Sequence, residues 1–99
     1  MMKKPKPHEI ELKASWIMDK GVMQLDEVGK RIEWLIHHYF KKIGTFNSGW
    51  NTIFQDPGDG RYWELSYPQG YMQGGGPALL QCVSTEKVGD VLKEIAATK

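Results

Sequence analysis

The chain of 99 residues has one cysteine, no apolar run long enough to cross a bilayer, and no excess of either charge. Each shortage excludes something. Cys82 alone cannot close an intramolecular disulfide, and one thiol does not build a zinc site by itself. It reads as a small apolar residue on a buried strand, and a lone free thiol fits a reducing, cytoplasmic setting. No stretch approaches the roughly 20 apolar residues of a transmembrane helix, so no membrane partner is expected. Lys and Arg number 13 against 12 Asp and Glu, a net charge of +1. That balance excludes the basic stripe of a general nucleic-acid binder, and equally an acidic mimic of nucleic acid. The basic start, Met1 to Pro7, is followed by the half-charged His8-Glu9-Ile10-Glu11-Leu12-Lys13 and not by an apolar segment, so it does not read as an export signal.

What is present is globular: 40% hydrophobic and 25% charged residues, in a length that suits one domain. We expect residues 1–13 to form a disordered N-terminal arm and residues 14–99 a single α+β domain. The segment Ala14 to Asp19, where Trp16 and Met18 alternate with Ser15 and Ile17, and the segment Val22 to Gln24 read as a short hairpin turned by Asp19-Lys20-Gly21. Asp26 suits an N-cap, and Val28, Ile32, Leu35, Ile36, Tyr39, Phe40 and Ile43 recur at spacings of three and four. They predict a helix from about Asp26 to Ile43 that Gly44 stops.

Trp50 to Gln55 and Arg61 to Tyr67 flank Asp56-Pro57-Gly58-Asp59-Gly60 and read as a second hairpin. Ala78 to Val83 is a strand apolar enough to lie at the centre of a sheet. A second helix runs from Ser84 or Thr85 to about Ala97, with Val88, Val91, Leu92 and Ile95 as its apolar stripe. The predicted order is β-hairpin, α, β, β, β, α: an antiparallel β-sheet packed against two helices.

Three groups of residues invite chemistry. His37 and His38 are adjacent, so on a helix they diverge by about 100° and do not share a metal. Gly74-Gly75-Gly76-Pro77 has the backbone freedom of a phosphate cradle, but no lysine or helix start follows it. It reads as a loop that passes close to something bulky. Asp56, Asp59, Arg61 and Glu64 form the densest charged cluster. Asp56 and Asp59 suit closure of the turn, with Arg61 pairing to one of them. An acid–base pair of Glu64 and Asp59 is the catalytic alternative. No nucleophile elbow and no metal or cofactor motif accompanies it.

The run Asp56-Pro57-Gly58-Asp59-Gly60-Arg61-Tyr62-Trp63-Glu64-Leu65-Ser66-Tyr67-Pro68 precedes the glycine triplet closely. Ahead of it lie Asp26-Glu27, Arg31-Ile32-Glu33 and Ser48-Gly49-Trp50. From about Trp16 to Val88 this pattern resembles the immunity proteins of the family numbered twenty-seven in bacterial polymorphic-toxin systems. The chain departs from the family pattern at Gln73, at Ala78, and at Val28 and Gly29.

The resemblance implies a cytoplasmic protein that binds and blocks one cognate toxin domain, without catalysis and without a cofactor. Alternation on the strand sends Trp63, Leu65 and Tyr67 toward a helix and Tyr62, Glu64 and Ser66 away from it. The expected partner-binding residues are therefore Asp59, Arg61, Tyr62 and Glu64, together with Gly74, Gly75 and Gly76. The competing readings are a small ligand-binding or catalytic domain using Glu64, Asp59 and Arg61, and a homo-oligomeric scaffold.

Overall fold

The computed structural model describes residues 3–68 and 76–97. Among these residues seven strands and two helices follow one another. They are β1 (Glu11–Lys13), β2 (Trp16–Asp19), β3 (Val22–Leu25), α1 (Glu27–Trp34), β4 (Lys41–Phe46), β5 (Asn51–Gln55), β6 (Tyr62–Ser66), β7 (Leu79–Val83) and α2 (Thr85–Ala97). Five strands form an antiparallel sheet in the order β1-β7-β6-β5-β4, and β2 and β3 pair separately as a hairpin. The predicted α+β class, with an antiparallel sheet and two helices, is the one observed.

The two helices cover opposite faces of the sheet. Ile53 and Phe54 are adjacent on β5, so they point to opposite sides, and both are buried. Phe54 joins Leu12, Trp63, Leu65 and Leu80 beneath Ile32 and Leu35 of the α1 segment. Ile53 joins Val88 and Val91 of α2, with Ile43, Phe46, Tyr62, Val83 and Ile95 packed around them. The domain thus has three layers, with β6 between β5 and β7 at its centre. Leu92, expected in the α2 stripe, is instead 44% exposed.

The first helix is shorter than its periodicity suggests. Asp26 caps it as expected, accepting a hydrogen bond from the Gly29 amide at 2.7 Å. From Leu35 to Tyr39 the chain widens into a π-helical turn, closed by the Phe40 amide donating to the Leu35 carbonyl. Phe40 is then extended, and Lys41–Phe46 is strand β4 rather than the end of a helix. The apolar spacing of Tyr39, Phe40 and Ile43 continues the helical period by coincidence. Gly44 therefore does not stop a helix. It lies in β4 where α2 comes closest: a Cβ there would sit 2.9 Å from Ile95 Cδ1. As an edge strand, β4 carries two lysines and a bulge between Lys42 and Gly44, features that discourage pairing with another chain.

The N-terminal segment also differs from expectation. Residues 11–13, assigned to the arm from sequence, pair with β7 as strand β1. Flanking bonds from the Ala14 amide to the Ala78 carbonyl, and from the Cys82 amide to the Ile10 carbonyl, lengthen this pairing. Two arginines hold the chain before it. Arg31 makes a bidentate pair with Glu9, at 2.8 and 2.7 Å, and donates to the carbonyls of Lys3 and Lys4. Arg61 donates to the carbonyls of Glu9 and Lys6. The Arg31 hydrogen bonds hold the Glu9 pKa down, to about 2.

Candidate functional site

The charged hairpin turn is built around its two aspartates. Asp56 is buried, and its Oδ1 accepts from the Gly58 amide at 2.7 Å and from Tyr39 Oη at 2.8 Å. Burial and this carboxylate together push the Tyr39 hydroxyl pKa up. Asp59 accepts from the Arg61 amide at 2.9 Å and from Arg61 Nε at 2.6 Å. Burial works against the Asp59 carboxylate, but these bonds prevail and lower its pKa. Both aspartates thus close the turn, as their crowding with Pro and Gly predicts. The Arg61 guanidinium lies 5.1 Å from the Trp63 ring centroid and 3.5 Å from Cys82 Sγ. Burial raises the Cys82 thiol pKa.

Tyr62 and Glu64 do not face open solvent. The sheet face opposite Trp63 was expected to be free, and α2 covers it. Tyr62 packs into the α2 cluster. Glu64 Oε2 accepts from Asn51 Nδ2 at 2.8 Å, and Oε1 lies 2.8 Å from Lys87 Nζ of α2, an ion pair without the alignment of a hydrogen bond. Arg61 works on the Trp63 side of the sheet and Glu64 on the other. The structure therefore does not gather Glu64, Asp59 and Arg61 in one pocket, as the catalytic alternative requires. Gly74 and Gly75 lie outside the described residues. Gly76 is buried in a cleft wall.

That cleft was not anticipated from the sequence. It has a volume of about 460 Å³ and is lined by Ala14, Trp16, Leu25, Gly29, Glu33, Gly49, Trp50, Tyr67, Gly76, Pro77 and Ala78. Three aromatic residues, from three separate segments, converge on it. Trp16 comes from β2, Trp50 from the turn before β5, and Tyr67 from just after β6. Trp50 is 61% exposed, while Trp16 and Tyr67 are each 39% exposed. Glu33 of α1 is the one charged residue among the described residues of the lining. Burial, and secondarily the Glu33 charge, raise the Tyr67 pKa.

The hairpin continues the cleft outward. Its turn uses Lys20 and Gly21, both at positive φ, as a tight two-residue connection requires. Trp16 pairs with Leu25 and Met18 with Met23, so these four residues share one face of the hairpin. Trp16 and Leu25 line the cleft, and Met18 and Met23 lie beyond them, 65% and 58% exposed. On the other face Ile17 and Val22 are exposed as well. Most of β2 and β3 thus shows apolar side chains to solvent. Single exposed apolar residues are ordinary, whereas a contiguous set of this kind makes the hairpin a candidate contact surface.

The chain is thus a three-layer α+β domain with an apolar hairpin beside its core. The chain matches the family model described as Immunity protein 27 over residues 18–84, more than half its length, and belongs to that family. No curated protein and no solved structure matches it. Among the described residues no helix is long and apolar enough to cross a membrane, and no three His, Cys, Asp or Glu side chains stand together as a metal site.

The sequence did carry a signal for the cleft. Asn47-Ser48-Gly49 has turn chemistry, and all three residues adopt positive φ. A tight turn there sets Trp50 at a strand end, where a large side chain need not enter the core.

Proposed function

We propose that this chain neutralises a cognate toxin domain by stoichiometric binding, as an immunity protein of a polymorphic-toxin system, and does so in the cytoplasm without catalysis or a cofactor. The observation that carries the reading is the family match over residues 18–84. The apolar hairpin and its cleft support it physically. An isolated two-stranded hairpin is marginal in water, and exposing Met18, Val22 and Met23 on one gives the fold no burial. The same side chains become useful when a second surface covers them. Methionine adapts to an irregular partner, and tryptophan is a frequent energetic anchor of interfaces.

In this reading the interface runs from the cleft wall at Gly76, through Trp16, Trp50 and Tyr67, to Met18 and Met23. Tyr62 and Glu64 serve the packing of α2, while Asp59 and Arg61 fasten the turn and the N-terminal segment. The test is co-purification with the toxin domain encoded beside this chain. The expected result is a 1:1 complex and loss of toxin activity at equimolar ratio. An active toxin with no complex formed would refute it.

A second reading is favoured by the same hairpin: a homo-oligomer would also bury these residues. Sedimentation of the isolated chain separates the two. A monomer supports immunity by hetero-association. A stable dimer dissociated by Met18→Asp supports self-assembly.

A further inference from the structure

The cleft has a composition that selects among occupants. Trp16, Trp50 and Tyr67 supply aromatic rings, and Glu33 supplies one carboxylate with no opposing cation among the described residues of the lining. Glu33 pairs with His37, whose Nε2 lies 3.1 Å from Oε2 on the exposed side of the helix. Glu33 Oε1 has no hydrogen-bond partner among the described residues. Aromatic faces attract cations through their quadrupole, and a nearby carboxylate adds a directional anchor. A neutral apolar side chain would fill the volume but cover the Glu33 carboxylate, otherwise 49% exposed and paired with His37, without offering it a donor. An anion would meet repulsion from Glu33 and from the ring faces. A lysine ammonium would be drawn in as a point charge. A planar guanidinium can stack on an aromatic ring and still donate hydrogen bonds to a carboxylate.

We infer that the cleft between Trp16, Trp50 and Tyr67 receives a guanidinium-bearing side chain of the partner, paired with Glu33. The assignment rests on the toxin-binding reading for the identity of the partner, and on charge complementarity for the chemistry of its anchor. It makes the cleft the specificity element of the interface and leaves Met18 and Met23 as its adaptable apolar extension.

The test begins with the full chain alone. Nα-acetyl-arginine amide and its neutral isostere, the citrulline derivative, are titrated into the 15N-labelled protein, and the indole signals of Trp16 and Trp50 are followed. The expected result is saturable shifts of both indoles, with citrulline binding about three- to tenfold more weakly. Glu33→Gln should bring arginine down to the citrulline level, and Trp50→Ala should weaken arginine binding further. Both residues are exposed enough that thermal unfolding should stay near that of the parent chain. The buried Trp63 indole serves as the internal control and should not move. Equal binding of arginine and citrulline, or no saturable shift, would overturn the assignment.

The second arm measures affinity for the toxin domain. If the parent chain binds it and Glu33→Gln binds equally well, the guanidinium assignment fails and the immunity reading stands. If the parent chain does not bind it, the immunity reading fails, and the probe titration still decides the chemistry of the cleft.

Discussion

The sheet core and the β2–β3 hairpin are made of similar residues put to opposite use. In the core, Trp63, Ile32, Leu35, Ile53 and Leu80 are fully buried between two helices. In the hairpin, Trp16, Ile17, Met18, Val22 and Met23 meet solvent. Hydrophobicity alone therefore does not separate structural from functional residues in this chain. What separates them is whether another layer of the same chain covers them. The core has a helix on each side of the sheet, whereas among the described residues the hairpin is fastened at its base, through the Asp26 amide bonding the Ser15 carbonyl and through the packing of β3 on α1.

This contrast can be broken most forcefully in the core. Leu35→Ala should cost about 2–5 kcal/mol, because it opens a cavity under a helix that is fully covered. Urea unfolding measures the loss. A cost below about 1 kcal/mol would show that the π-helical turn collapses onto the sheet without it.

The buried turn comes next. Asp56→Ala removes the acceptor of both the Gly58 amide and the half-buried Tyr39 hydroxyl, so about 1–3 kcal/mol should be lost in all. Tyr39→Phe in the same background should recover part of that loss, since it removes one of the two stranded donors. A double-mutant cycle reads the coupling.

The clasp of the N-terminal segment supplies a pH dependence. Arg31 holds the Glu9 pKa below its ordinary value of 4.5, at about 2. A depressed carboxylate contributes stability above the unfolded-state pKa and loses it as pH falls. The expected outcome is a loss of about 1–3 kcal/mol as pH drops from about 5 to 2, absent in Glu9→Gln. Acid titration of thermal stability in both proteins checks it. Identical pH profiles would remove the clasp from the account.

Much of the fold was legible in the sequence because local chemistry and tertiary context agree there. Asp19-Lys20-Gly21 and the run from Asp56 to Gly60 form turns, and Asp26 caps its helix. The sequence misled where a short element borrows its stability from neighbours. Lys41–Phe46 has the lysines of an edge strand, and its apolar residues fall on the helical period by chance. Glu11–Lys13 is three residues long and is a strand only because β7 lies beside it. The orientation of Tyr62 and Glu64 was read correctly as opposite to Trp63. That the second helix covers this other face is a long-range fact, which alternation along one strand does not contain. The cleft was hidden for the same reason: Trp16, Trp50 and Tyr67 are far apart in sequence.

The hairpin is where stability should change least and function most. Met18→Asp places a charge on a side chain that is 65% exposed in the isolated chain, so thermal stability should shift by no more than about 0.5 kcal/mol. Affinity for the cognate toxin domain, measured by calorimetry on the same preparation, tests the central claim most directly. The account predicts at least a tenfold loss of affinity with the fold unchanged. Affinity equal to that of the parent chain, on an equally stable fold, would contradict it.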